Sequence, residues 1–322
     1  MKTLHKIKIA AAISFLGLIM ASCVPKQETM GDAGQTLIKM VKTSSDGYYM
    51  YAIGAVSTSQ KFLVLDVRKN AANSTDLNTQ TVVTLQFDGA DTAMLKAYNN
   101  TYGTNFVPFP AGTYSFDPAI AAGKITLTFA PGDFAKPIYL TIPNALLLDM
   151  SKAYGFCIKA TMTGAGKWSE TTNDTILIQA MPKNKYDGLY LLKGAHNRVP
   201  YNFPYLTNME LRTTGASSVA FFWPGPEGPN DFGHPIGTGP DPVNDMSWYG
   251  NTIAPVIVFD PVTDFVSDVY NTGGPTVITK FTGAGSNANL YDAATKTIYV
   301  SWNYNNNPLR AFIDTLTYTG VR

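Results

Sequence analysis

The chain is punctuated. Short runs rich in aromatic and β-branched residues recur along most of its length, and Gly, Pro, Asn or Asp stand between them. Thr81-Val82-Val83-Thr84-Leu85-Gln86-Phe87 shows partial period-2 alternation, the spacing that puts one set of side chains on one face of a strand. Similar runs span 48–53, 61–67, 124–129, 137–142, 156–161 and 175–179. Pro131-Gly132 marks a turn between two of them. The 18 Tyr, 17 Phe, 27 Gly and 20 Pro suit many strands and turns rather than a helical bundle. One helix interrupts the pattern. Asp91 is its expected N-cap, Met94, Leu95, Tyr98 and Tyr102 share a face, and Gly103 is its expected C-cap.

A second β region follows Met181-Pro182-Lys183-Asn184-Lys185, which reads as a linker. Its strands are expected over 186–192, 209–212, 219–223, 255–259, 276–281, 297–304 and 311–318, with no helix. The expected fold is all-β. A sandwich over 41–181, with one short helix, precedes an antiparallel β-barrel or curved β-sandwich over 183–322. Closing the second sheet would remove its exposed edges.

The start of the chain differs from the rest. Lys2, Lys6 and Lys8 precede an apolar run, Ile9 to Met20, too short for a mature membrane span. Met20-Ala21-Ser22-Cys23 then resembles the lipobox of bacterial lipoproteins. That resemblance implies a signal peptide over 1–22, lipid attachment at Cys23 and a tether over 23–40. Removal of the signal would leave 21 basic residues of the 24, against 23 acidic. So balanced a charge argues against nucleic acid as a partner. The other cysteine, Cys157, lies in an apolar run and reads as a buried thiol.

Little in the chain carries reaction chemistry. The 3 His include His5, in the signal, while His196 and His234 lack metal-ligand spacing. Gly164-Ala165-Gly166-Lys167 lacks the first glycine of a phosphate loop and reads as a hairpin turn. No catalytic residue, metal site or cofactor is implied. Glu227, Asp231, Asp241 and Asp245 share one loop, which keeps a small glycoside hydrolase open as a reading.

That loop is the feature with most functional content. It is long, Pro- and Gly-rich, begins at Trp223 and ends at Trp248-Tyr249. Three of the 4 Trp (Trp223, Trp248, Trp302) fall in the second region. Sugar rings stack their C–H faces on aromatic planes, and their hydroxyls bond to Asn, Asp and backbone groups. The candidate glycan contacts are therefore Trp223, Trp248, Tyr249, Trp302, Asn303 and Tyr304, with Asp241 and Asp245. Trp223 and Trp302 suit a barrel core equally well.

Ala97-Tyr98-Asn99-Asn100-Thr101-Tyr102-Gly103, then Phe109-Pro110 and Tyr114-Ser115-Phe116, is similar to Bacteroidetes lipoproteins of glycan-utilisation loci. Tyr186-Asp187-Gly188-Leu189-Tyr190 resembles the opening of their second domain, and Tyr291-Asp292-Ala293-Ala294-Thr295 its late hairpin. The resemblance implies an Ig-like N-terminal sandwich and a second β domain. It further implies a SusE/SusF-like accessory role beside a SusC/SusD-like transport complex, at the outer membrane and the cell surface. A structural or adhesive envelope subunit without sugar ligand is the rival reading. Asp91-Thr92-Ala93, Asp174-Thr175-Ile176 and Asp314-Thr315-Leu316 also match a short acceptor motif for O-glycosylation.

Overall fold

Thr81, Val83, Leu85 and Phe87 point inward and are buried, while Val82, Thr84 and Gln86 alternate outward. This period-2 burial recurs along the chain. The computed structural model describes residues 34–42, 50–88, 92–164, 166–169 and 174–322. The protein is all-β, with 52% of residues in strands and 9% in helices.

The first sheet holds β1 (Leu37–Lys42), β3 (Gln60–Asn70), β5 (Ser115–Asp117), β7 (Ala135–Ile142) and β9 (Lys167–Trp168), in the order β5-β7-β3-β1-β9. The second holds β2 (Met50–Gly54), β4 (Thr81–Phe87), β6 (Lys124–Phe129), β8 (Tyr154–Gly164) and β10 (Thr175–Lys183), in the order β2-β10-β8-β4-β6. Residues of both sheets form one apolar core, including Ile38, Val67 and Leu140 from one and Val83, Phe129 and Ile178 from the other. Each such side chain contributes roughly 1.5–3 kcal/mol by leaving water. Phe109 stacks on Phe156 at 4.5 Å and 4° beneath this sandwich's aromatic end.

Three expectations change here. The tether does not extend to residue 40: Leu37–Lys42 alternates inward and outward and pairs with β3, so strand order begins at Leu37. The linker shortens as well, because Met181, Pro182 and Lys183 continue β10 alongside β2. Beyond Ala180, β10 has no β8 partner on its other side, so this is an edge segment, where proline is tolerated. β8, ending at Gly164, and β9, beginning at Lys167, lie in different sheets, so they do not form a hairpin.

Among the described residues there are two α-helices rather than one, α1 (Ser74–Asn78) and α2 (Ala93–Tyr102). Asn73 caps α1 by accepting from the Asp76 N–H. The expected cap of α2, Asp91, lies outside the described residues. Asp88 accepts from the first-turn N–H groups of Met94 and Leu95 instead, at 3.2 and 2.8 Å. Gly103 closes α2 in the left-handed region, at φ 63°, as expected. Leu95 buries against Cys157 and Leu177, but Tyr102 is 66% exposed and only covers Tyr98. Burial pushes the Cys157 thiol up to about 11, which suits an inert core thiol.

After the turn at Asn184–Asp187 the chain builds one curled sheet. Its main path is β18 (Val266–Asn271), β17 (Pro255–Phe259), β13 (Ser218–Trp223), β12 (Pro204–Gly215), β11 (Gly188–His196), β22 (Ala311–Gly320), β21 (Thr297–Tyr304) and β19 (Ile278–Lys280). β14 (Asp231–Phe232) pairs with β13, and β20 (Leu290–Asp292) with β21. The two ends meet. The Val266 N–H donates to Asn289, the Tyr291 N–H to Asp264, and Lys280 Nζ reaches the Val266 carbonyl at 2.9 Å. The result is a nearly closed barrel with its own core around Tyr190, Leu211, Val300 and Phe312.

The Tyr186-Asp187-Gly188 stretch acquires a structural reason. The Asp187 carboxylate is buried. It accepts from Thr213 N and Oγ1, at 2.8 and 2.9 Å, and pairs with Arg322 at 2.9 Å. A Cβ on Gly188 would come within 2.6 Å of the Tyr318 ring.

Candidate functional site: the mouth of the barrel

Inward positions of β11, β22 and β21 face one another in register. His196 pairs with Phe312, and Phe312 with Trp302. Their rings form a three-layer stack, each step 4.1 Å with tilts of 5° and 8°. Two residues along β22, Asp314 also points inward and is fully buried. Its Oδ1 accepts from Tyr205 Oη at 2.5 Å and its Oδ2 from Trp302 Nε1 at 2.8 Å. His234 Nε2 lies 3.2 Å from Oδ2, at ion-pair distance but off the hydrogen-bond line. His234 Nδ1 faces the Pro235 carbonyl at 2.8 Å and therefore carries a hydrogen. Gly194 makes room for this cluster: a Cβ there would lie 2.5 Å from Asp314 Oδ1 and 2.6 Å from Tyr205 Oη.

His234 reaches the interior from the long loop. That loop is ordered, a correction to its irregular reading. Its β15 (Pro235–Gly237) and β16 (Met246–Trp248) form a hairpin, and Gly237 bridges to Phe203 beside β12. A Cβ on Gly237 would meet the Phe203 carbonyl at 2.6 Å, so only glycine lets the hairpin sit this close. The hairpin thus covers the barrel wall and inserts His234 and Ile236 into the core.

At the end of the stack, the 197–203 loop, the 249–252 turn and the 305–310 loop come together. Arg198 Nη1 donates to Tyr249 Oη at 3.2 Å and to Tyr304 Oη at 3.1 Å. The two phenol oxygens are 3.5 Å apart. Arg198 lies 5.6 Å from the Tyr201 ring, and Arg310 lies 5.4 Å from the Tyr304 ring. Tyr201 is 39% exposed. Asn197 ties two of the loops, donating to the Pro308 carbonyl and accepting from the Ala311 N–H. Burial pushes the Tyr249 phenol up to about 12, so it is neutral and can both donate and accept. His196, beneath Tyr304, is fully buried with no hydrogen-bond partner on either ring nitrogen. Burial, then the charges of His234, Arg198 and Arg310, bring its pKa down to about 4.

The expected contacts divide. Trp248, Tyr249 and Tyr304 gather near this mouth, Tyr304 through its hydroxyl. Trp248 is half-buried, with its ring against Gly233. Trp302 and Trp223 present no face to a ligand. Trp302 is fully enclosed, and Trp223 is 4% exposed and donates to Thr207 Oγ1. Both are inward strand positions. Asn303 is also buried, accepting from Thr279 Oγ1 at 2.9 Å.

The loop carboxylates are engaged in turns. Asp241 accepts from the Val243 and Asn244 N–H groups, and the Asn244 side chain holds its carboxyl below the usual carboxylate range. Asp245 accepts from the Asp241 N–H, Asp231 from the Phe232 N–H, and Glu227 from Asn208 and Thr207. Among the described residues no group of three or more His, Cys, Asp or Glu could hold a metal ion. Arg198, Tyr201 and Arg310 escaped the sequence reading. The signal was a Pro-bearing loop, Arg198-Val199-Pro200-Tyr201, directly after a strand.

No family model matches the chain, and no curated protein matches it. Its structural neighbours are Bacteroides proteins. It is similar to a Bacteroides ovatus protein of unknown function at 12% identity, over 89% of this chain and 95% of that one, with a TM-score of 0.47. It is similar to a multidomain Bacteroides ovatus protein that includes DUF1735 at 11% identity, over 87% and 92%, with a TM-score of 0.42. It is also similar to a candidate carbohydrate-binding protein from Bacteroides ovatus at 13% identity, over 86% and 79%, with a TM-score of 0.33.

Proposed function

We propose that this chain is an envelope-anchored lipoprotein that binds glycan at the mouth of its barrel, as an accessory to polysaccharide uptake beside a SusC/SusD-like transporter. The observation that carries the reading is the group Tyr201, Tyr249, Tyr304 and Arg198. The exposed Tyr201 ring, the half-buried Tyr249, the Arg198 guanidinium and the hydroxyl of the otherwise buried Tyr304 converge there at the rim of the barrel. A pre-ordered site of this kind loses little entropy on binding. Titration of residues 24–322, which include every described residue, against a glycan panel tests it. Tyr201→Ala should weaken binding of the selected glycan by about 1–2 kcal/mol, with a small change in melting temperature, because its ring is largely outside the core. Trp248→Ala is a poorer probe, since its contact with Gly233 makes it lower stability as well. If no glycan binds, or Tyr201→Ala leaves affinity unchanged, the mouth is not the glycan site.

The anchor reading rests on Met20-Ala21-Ser22-Cys23, which lies outside the described residues. Among the described residues no helix is long and apolar enough to cross a membrane. Cys23→Ala should move the protein from the membrane fraction to the soluble fraction, since acyl chains would supply the attachment. Retention of the variant on membranes after a high-salt wash would overturn the lipid anchor.

A further inference from the structure

We infer that the mouth recognises an acidic saccharide, one carrying a carboxylate or a sulfate ester, with Arg198 and Arg310 as the anion contacts. The inference rests on the glycan reading and names the class of glycan. Three observations support it. First, Arg198 and Arg310 both stand beside Tyr304, one at its hydroxyl and the other near its ring, and among the described residues neither forms an ion pair. The phenols that hold Arg198 are uncharged acceptors, so they orient the guanidinium without neutralising it. Nη1 is occupied by the two phenols, which leaves the Nε and Nη2 edge, a two-pronged donor pair that matches a carboxylate or sulfate. Second, the carboxylate buried beneath the mouth, Asp314, is already engaged by Tyr205, Trp302 and His234 and does not serve as a counter-ion to either arginine. Third, His196 below Tyr304 is an unpartnered, fully buried imidazole. Burial first, then the charges of His234, Arg198 and Arg310, lower its pKa. The apolar rim suits the ring of a sugar: Tyr201 is 39% exposed, Val199 78% and Leu309 72%.

Calorimetric titration of residues 24–322 with a galacturonic acid trimer, a sulfated dextran oligosaccharide and a neutral dextran oligosaccharide tests this. At about 50 mM salt at least one anionic probe should bind about tenfold or more tighter than the neutral one, because charge-assisted bonds are roughly twice as strong as neutral ones. Arg198→Gln and Arg310→Gln should each weaken that probe about tenfold. Arg198→Lys should recover only part of the loss, since it keeps the charge and loses the fork. Raising the salt to about 500 mM should weaken the anionic probe and leave the neutral one unchanged. The carboxylate and sulfate arms distinguish the two sources of charge. Melting curves on each variant establish folding, and Arg310→Gln, a loop residue resting on one ring, serves if Arg198→Gln is unstable. Equal binding of neutral and anionic probes, insensitive to both arginine substitutions, overturns the acidic-saccharide assignment and leaves the glycan reading intact. Failure of every glycan in the wider panel overturns both.

Discussion

Asp314→Ala is expected to cost about 3–5 kcal/mol of stability, because it leaves two buried donors unsatisfied at about 1–3 kcal/mol each. The carboxylate is fully buried and accepts from two donors at once, Tyr205 Oη and Trp302 Nε1, with the His234 ring alongside. Its loss would leave an indole N–H and a phenol without their acceptor and the His234 ring beside a void. The melting temperature should fall on the order of 10 °C. Urea unfolding followed by tryptophan fluorescence measures the change, since Trp302 sits within the cluster. Asp314→Asn keeps the volume and should cost less. Gly194→Ala attacks the same cluster from the facing strand, because its methyl would overlap both Asp314 and Tyr205. A loss below about 1 kcal/mol for Asp314→Ala would show that the two donors find other partners and that the cluster is not a stability centre.

The second large effect is acid sensitivity centred on His196. Its folded-state pKa is lowered to about 4, first by burial and then by the charges of His234, Arg198 and Arg310, with Asp314 opposing. The ordinary value is about 6.5. A lowered folded pKa means that the unfolded chain takes up the proton first. The stabilising contribution is therefore fully present above about pH 6.5 and is lost as pH falls toward about 4. Two and a half pKa units correspond to about 3 kcal/mol, an upper figure for this one group. His196→Phe removes the titration and keeps a ring to stack on Phe312. The difference in stability between the parent and this variant, measured by urea unfolding at pH 7 and pH 4.5, should shift in the variant's favour at the lower pH. A pH-independent difference would show that His196 stays neutral on unfolding or is already charged when folded.

Much of the fold was legible. Thr81–Phe87 is legible as a strand because it is rich in β-branched residues and its alternation, partial in sequence, is complete in burial. Gly103 was read as a C-cap because a left-handed residue after a helix favours glycine. The errors have local causes. Leu37 to Met40 reads as the end of a tether because Lys39 interrupts the inward Ile38 and Met40. Pro182 was taken for a break because sequence does not say which side of a strand lacks a neighbour. Asp314 sat in a short glycosylation-like motif. The better signal was a charge at an inward position between Phe312 and Leu316.

Of the candidate site, the tryptophans misled. Trp302 and Trp223 look like sugar platforms in a list of aromatics, yet both occupy inward strand positions. By itself the sequence determined many of the strands and the all-β class, since these follow from short-range spacing and backbone preferences. It also determined the lipobox-like motif that suggests an anchor. Only the tertiary structure decided which aromatics keep a face toward solvent, that Arg198 meets Tyr249 and Tyr304, and that Gly194, His234 and Asp314 share one buried cluster. Residues 198, 249 and 304 are far apart in the chain. What joins them is barrel closure and the docking of a hairpin, and those depend on which side of each strand finds a neighbour.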